Sequence, residues 1–290
     1  MSQIIFIIGL QKSGTTLLNR LLLTQPNVAN PFKLEGRDFW GDSPPFSPTA
    51  EPCGRIYQQY NGEHGHNLDS DDFLVSDQHL LLERIKVQNI SRPIWINKNP
   101  YNSVRIPWLK KHFPESKIVA MIRNPLANVF SLLKKYTPHE HMGYPPENGW
   151  WGVKPKNWLQ IQNQDKLVQS ADQWLSVNQE ILNQINQVDH LIRYDQLCEH
   201  PTETISKLID VGTDEIQGLG TQESLTCNDQ EYLTGSRLLS KNREYLNESS
   251  FNLDSQDETI EIHPLKNHQI EMIDLKCSSL WEVFTELIEG

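Results

Sequence analysis

Cysteine is scarce in this 290-residue chain. Cys53, Cys198, Cys227 and Cys277 are the only four; no two form a Cys-x-x-Cys pair and none stands in a His/Cys cluster at zinc spacing. That excludes a disulfide framework and a structural zinc, and it fits a reducing cytoplasm. Equally missing is any apolar run approaching the ~20 residues that span a bilayer. The apolar start, Ile4-Ile5-Phe6-Ile7-Ile8, is short, follows no basic region and runs directly into a glycine, so it reads as a buried strand and not as a signal segment. Positive charge is in deficit too. Lys and Arg number 26 against 37 Asp and Glu, a formal net charge of −11. A nucleic-acid binder, which works by neutralising many phosphates, is thereby excluded, while a small anion held by a few local cations is not.

What is present is an ordinary globular composition, 37% apolar and 22% charged. The length sits near the upper limit of one continuous core, so one domain over 1–290 with elaborated loops is expected. Short β-rich runs occur at 4–8, 94–97, 118–122 and 190–194. Helical patterns separate them, over 77–89, 104–112, 125–136, 165–188 and 277–288, with a first helix carrying Leu17, Leu18, Leu21 and Leu22 up to Pro26. Alternation of this kind predicts an α/β fold, a parallel sheet with helices on both faces. Asn124 before Pro125 is a cap and first-turn pair for the helix after the 118–122 strand. Two long irregular stretches, 40–67 and 137–158, are rich in proline and tryptophan, the kind of loop that is functional when it is ordered.

The chemistry starts at Gly9-Leu10-Gln11-Lys12-Ser13-Gly14-Thr15-Thr16, which joins the first strand to the first helix. A loop there points consecutive backbone N–H groups at whatever lies above the helix N-terminus, where the helix dipole favours an anion. In a Walker A loop, GxxxxGK[ST], the lysine directly follows the last glycine. Here Thr15 follows Gly14, and Lys12 stands two positions before it. Neither of the strand ends at Lys98 and Arg123 carries a Walker B aspartate. A P-loop kinase or NTPase therefore lacks its two signatures, although it stays the alternative, together with an inactive nucleotide-binding module.

Gln11-Lys12-Ser13-Gly14-Thr15-Thr16 resembles the 5'-phosphosulfate loop of the sulfotransferases that use 3'-phosphoadenosine 5'-phosphosulfate. Ile118-Val119-Ala120-Met121-Ile122-Arg123-Asn124-Pro125, continuing to Ser131, resembles that family's strand-Arg-x-Pro-helix segment, which grips the 3'-phosphate; Ser131 stands eight positions after Arg123, as the pattern requires. The spacing is physically sensible, since Arg123 leaves the strand end with a forked cation and Ser131 adds a hydroxyl from the following helix. Arg193-Tyr194-Asp195-Gln196-Leu197 is similar to the family's Tyr-Glu-Asp-Leu segment, whose tyrosine lies near the adenine. The region of Arg237, Lys241 and Arg243 resembles the basic tail that closes over the nucleotide, without the Arg-Lys-Gly wording of the cytosolic branch. The resemblance covers about two thirds of the chain. It implies a P-loop-type three-layer fold with long active-site loops. The donor set it implies is Gln11, Lys12, Ser13, Gly14, Thr15, Thr16, Arg123, Ser131, Tyr194 and Arg243, with no metal required.

For the transfer step, the cytosolic branch uses a histidine two positions after a strand-end lysine. This chain has Lys98-Asn99-Pro100, with Pro100 in that place. The wording is closer to the bacterial and glycan-modifying branches, where the lysine assists and a glutamate shortly after the first helix is the base. Glu35 falls in that region, so the resemblance implies Lys12, Glu35 and Lys98 as the catalytic set; otherwise Glu35 is a solvated glutamate beside Arg37. His64, His66, His139 and His141 compete as bases. Trp40, Phe46, Tyr144, Trp150, Trp151 and Trp158 either wall an apolar acceptor pocket or pin the loops to the core. The reading as a whole is a cytoplasmic sulfotransferase of the EC 2.8.2 type. It would turn 3'-phosphoadenosine 5'-phosphosulfate into 3'-phosphoadenosine 5'-phosphate while sulfating a hydroxyl of a small-molecule, lipid or glycan acceptor.

Overall fold

A computed structural model describes residues 3–32, 34–43, 47–48, 52, 65–88, 90–136, 146, 149–217, 233–234, 237–238, 241–246, 249–252, 259–262 and 264–290. Its centre is a sheet of β1 (Gln3–Ile8), β2 (Val28–Ala29), β3 (Ile94–Lys98), β4 (Lys117–Ile122) and β5 (His190–Arg193), in the order β2-β3-β1-β4-β5. Every neighbouring pair is parallel, with Ile5 of β1 opposite Ile96 on one side and Lys117 on the other. The main helices are α1 (Thr15–Leu23), α2 (Val75–Lys86), α3 (Ile106–His112), α4 (Pro125–Leu133), α5 (Lys166–Asn183), α6 (Tyr194–Glu199), α7 (Pro201–Ile209) and α8 (Asn267–Glu289).

Because side chains alternate along a strand, β1 and β4 each feed two cores. Ile5, Ile7, Val119 and Met121 pack against Leu18, Leu21 and Leu22 of α1, Leu197 of α6 and Ile205 and Leu208 of α7. Phe6, Ile8, Ile118, Ala120 and Ile122 face the other way, onto Val129 and Phe130 of α4, Trp174 and Val177 of α5 and Phe284 of α8. Strands buried on both faces read as continuous apolar runs, which is why these two were evident in the sequence.

Two caps fix the helices that flank the site. Asn124 accepts from the Leu126 N–H at 3.0 Å with Pro125 at the first turn, as its position predicts. Asp165 does the same for α5 through the Leu167 N–H at 2.9 Å. Some boundaries differ from the sequence reading. The last core strand ends at Arg193, and Tyr194 opens α6 instead of closing the strand. The C-terminal helix begins at Asn267 rather than Cys277. The two-residue β2 and the helices α6 and α7 were not anticipated.

Candidate active site

In a parallel sheet all strands end on one edge, and ligands of such folds bind outside those carboxyl ends. Gly9, Lys98, Arg123 and Tyr194 all lie at that edge, at the ends of β1, β3, β4 and β5.

The loop from β1 to α1 is held in a shape few sequences tolerate. Gly9 (φ 144°), Lys12 (φ 70°) and Gly14 (φ 104°) have positive φ. A Cβ on Gly9 would lie 2.5 Å from the Met121 carbonyl oxygen, and one on Gly14 would lie 2.5 Å from the Tyr194 ring. Lys12 is not glycine, so its left-handed backbone costs of order 1 kcal/mol, sustained by the surrounding bonds. The Gly9 N–H donates to Ser103 Oγ at 2.8 Å, the Ser13 N–H to the Leu10 carbonyl at 3.1 Å, and Asn128 Nδ2 to the Gln11 carbonyl at 2.9 Å. Gln11 turns its own side chain away along the chain, where Oε1 accepts from the Val153 N–H at 3.1 Å. Ser13 Oγ is buried and has no hydrogen-bond partner. Thr15 is buried and Thr16 exposed in the first turn of α1.

Arg123 ties this loop to the C-terminal part of the chain. Its Nη1 donates to the Lys12 carbonyl at 2.9 Å, its Nη2 to the Lys241 carbonyl at 2.8 Å and its Nε to Asn242 Oδ1 at 3.1 Å. The guanidinium lies 4.5 Å from the centre of the Tyr194 ring, a cation over a π face. The Tyr194 hydroxyl accepts from the Lys241 N–H at 3.3 Å. Burial raises the Tyr194 pKa against the opposing pull of Arg123, so the phenol stays protonated. Arg243 is exposed two residues beyond Lys241, and Ser131 is half-buried on α4.

The third cluster forms at the end of β3. Lys98, 2% exposed, pairs with Glu35 Oε1, and Glu35 Oε2 is buried without a hydrogen-bond partner. Glu35 is therefore a partner of Lys98. Its backbone is left-handed (φ 55°) and is followed by Gly36 at φ 63°. Asn99 Nδ2 holds the Glu35 carbonyl at 3.0 Å. A Cβ on Gly36 would lie 2.5 Å from the Asn97 side chain, so the turn that presents Glu35 needs glycine there.

The loop aromatics divide. Trp40, Trp150 and Trp158 are 3%, 2% and 7% exposed and pin their segments. Trp40 Nε1 donates to Asn97 Oδ1 at 3.3 Å, and Trp150 and Trp158 meet edge to face at 5.9 Å. Trp151 is half-buried, and Phe46 and Tyr144 lie outside the described residues. Among the four candidate histidines only His66 lies in the described residues, and its ring is engaged by the backbone. Its Nδ1 accepts from the Lys154 N–H at 2.7 Å, which requires the neutral ring, and burial holds its pKa well below the usual value. His64, His139 and His141 lie outside the described residues.

The sequence reading brought together the loop, Arg123 and Tyr194, and the structure places them at one edge with Lys98 and Glu35. It missed Ser103, Asn128, Asn99, Asn242 and the use of Gln11. Asn99 had a signal, an Asn-Pro start to a short helical turn that its side chain caps through the Tyr101 N–H at 2.9 Å. The others make contacts between residues far apart in the chain, which no local pattern marks.

Residues 4–213 match the model of a family described as the sulfotransferase family. A curated Caenorhabditis briggsae protein, provisionally named a protein-tyrosine sulfotransferase, is 25% identical over 136 residues; the match covers 47% of this chain and 45% of that protein, less than half its length. Among solved structures, the sulfotransferase domain from the curacin biosynthetic pathway is 19% identical with a TM-score of 0.45, over 96% of this chain and 98% of that one. A Mycobacterium avium sulfotransferase is 15% identical with a TM-score of 0.49, over 97% and 76%.

Proposed function

The chain belongs to the sulfotransferase family, and from that premise we propose that it transfers a sulfuryl group from 3'-phosphoadenosine 5'-phosphosulfate to the hydroxyl of a small-molecule, lipid or glycan acceptor. The observation that carries the reading is the 2.9 Å bond from Arg123 to the carbonyl of Lys12. It puts the strand-end arginine and the glycine loop into one site, where two anionic ends of one nucleotide can be held together.

The residues fit such a donor. Ser13 supplies a buried hydroxyl without a partner and the loop supplies backbone N–H groups at the start of α1. Tyr194 offers an aromatic face, and Arg123 a fork that donates to the carbonyl oxygens of Lys12, Lys241 and Asn242, weaker partners than a phosphate. Ser131 and Arg243 would add a hydroxyl and a cation from α4 and the tail. When bound, the donor contributes the sulfuryl group and a phosphate leaving group.

The protein's own part is positioning and charge. Lys12 stabilises the charge that grows on the departing phosphate. Glu35 receives the proton of the acceptor hydroxyl on Oε2, the oxygen left without a partner, while Lys98 fixes Oε1. Asn99 keeps the Glu35 backbone in its left-handed turn.

The test is thermal unfolding with ligand. The product nucleotide 3'-phosphoadenosine 5'-phosphate, without magnesium, is expected to raise the Tm, since a ligand at a hundred times its Kd stabilises the folded state by about 2.7 kcal/mol. Magnesium-ATP is expected to leave it unchanged. Stabilisation by magnesium-ATP alone would instead establish the kinase or NTPase reading.

A further inference from the structure

Two buried glutamines on α5 face the segment 149–153. Gln169 Nε2 donates to the Gly149 carbonyl at 3.0 Å and to the Tyr136 hydroxyl at 2.9 Å, and that hydroxyl also accepts from the Trp151 N–H at 3.0 Å. Gln173, fully buried, donates through Nε2 to the carbonyls of both Trp151 and Val153, at 2.9 and 2.8 Å. The next bond in the series leaves α5 altogether. The Val153 N–H donates to Oε1 of Gln11, the residue before Lys12. Gly152, at φ 86°, comes so close that a Cβ there would meet the Gln11 side-chain amide at 2.8 Å. The segment that carries Trp150 and Trp151 is thus hydrogen bonded to the glycine loop at one end and to α5 at the other.

A bland role would be packing alone, but packing does not explain where the polar groups sit. Buried amides are costly unless paired, and an apolar side chain at 173 would fill the same space without that cost. What the glutamines supply is register: Gln173 fixes residues 151 and 153, and 153 fixes Gln11, whose backbone leads into the left-handed Lys12.

We propose that Gln11 and Gln173 are positioning residues that couple the Trp150–Trp151 segment to the glycine loop, so that ordering either one orders the other. Resting on the donor reading above, this carries donor binding outward: a donor that rigidifies the loop also holds the 149–153 segment more firmly. Coupling of this sort is reciprocal.

Amide hydrogen exchange on the full chain tests it, first without ligand. Gln173→Leu, at a residue whose hydrogen bonds go to the carbonyls of Trp151 and Val153 and not to the loop, is expected to speed exchange at the Val153 amide and also at the Ser13 amide, each about tenfold. Gln11→Met should do the same, Gln11→Glu, which keeps an oxygen acceptor, should restore the native rates, and Gln11→Met with Gln173→Leu should be no faster than the faster single variant. Unchanged exchange at Ser13 in Gln173→Leu, or additive effects in the double variant, overturns the coupling. Should Gln173→Leu fail to fold, Gln11→Met against Gln11→Glu at the Trp151 amide decides instead, an equal rate in both overturning it. With 3'-phosphoadenosine 5'-phosphate added, Val153 exchange should slow about tenfold in the native protein and not in Gln11→Met. A raised Tm with unchanged Val153 exchange overturns the coupling and leaves the donor reading intact. No rise in Tm defeats the donor reading, and the ligand-free rates still decide the coupling.

Discussion

Lys98 is almost wholly buried and pairs with the carboxylate of Glu35. Removing one member of a fully buried ion pair costs roughly 3–5 kcal/mol, because the other charge is left desolvated. Glu35 is 29% exposed on its side chain, so water recovers part of that. Glu35→Gln is therefore expected to lower stability by roughly 2 kcal/mol, and to cut sulfuryl transfer by about 10²–10⁴-fold as a lost general base does. Affinity for 3'-phosphoadenosine 5'-phosphate should stay within about threefold of native, since the nucleotide groups of Arg123 and the loop are untouched. Urea unfolding, single-turnover transfer and calorimetric titration separate the three effects. Full transfer activity in Glu35→Gln would place the base among the histidines of the long loops. At this scale the sequence offered Lys98 and Glu35 as candidates, through the Lys98-Asn99-Pro100 wording and the position of Glu35 after the first helix, but not their pairing. Glu35 and Lys98 sit on different elements, and the parallel order of β3 beside β2, the strand that leads to Glu35, brings them to one edge.

Between elements the decisive bonds are made by polar side chains without local signatures. His66 joins the 65–68 segment to 153–155: its N–H donates to the Lys154 carbonyl at 2.8 Å, and its ring Nδ1 accepts the Lys154 N–H. Its carbonyl accepts from Arg105 Nε at 3.1 Å and its ring stands edge-on to Tyr101 at 4.4 Å. Burial, then Arg105, then Lys154 lower its pKa below 6.5. The sign follows directly. Above pH 6.5 the ring is neutral in both states and its contribution is complete. Below it the unfolded chain takes up a proton that the folded protein refuses, so stability falls. The expected loss from this one group is at most about 1.4 kcal/mol per pH unit below 6.5. His190, lowered by burial and then by Lys117, adds to the same slope. His66→Asn keeps an acceptor near the position of Nδ1 without a titratable ring. Urea unfolding at pH 7.5 and 5.5 should show a smaller drop in the variant than in the native protein, and an equal drop would refute the assignment. The elements themselves were mostly evident from period and caps. β2 escaped because two residues carry no period. The first residue of α6 was assigned to the strand before it, because Tyr194 extends a β-rich run at the point where the backbone turns helical.

For the molecule as a whole, the informative fact is how the last helix relates to the match with the family. That match ends at residue 213, yet α8 lies against α4 and α5 in the larger core. Its first half read as non-helical because Asn267–Leu275 is mostly polar and Leu275 itself is 87% exposed; the buried stripe is Ile273, Cys277, Leu280 and Phe284. Two ion pairs also hold α8, Lys276 with Asp172 at 2.6 Å and Arg193 with Glu289 at 2.7 Å. Such partly exposed pairs are worth at most about 1 kcal/mol each. Burial of Ile273, Leu280 and Phe284 contributes roughly 5–9 kcal/mol on the usual transfer scale, an upper figure because unfolded chains already bury some apolar surface. Net stabilities of domains are about 5–15 kcal/mol, so the apolar stripe decides the outcome. A chain cut after residue 265 is expected to lose cooperative unfolding and to aggregate, even though it retains all of 4–213. Lys276→Ala in the full chain, by contrast, should shift the Tm by no more than a few degrees. Circular dichroism melts of the two proteins make the comparison. A truncated chain that melts cooperatively near the native temperature would show that the sheet and its first seven helices hold the site without α8.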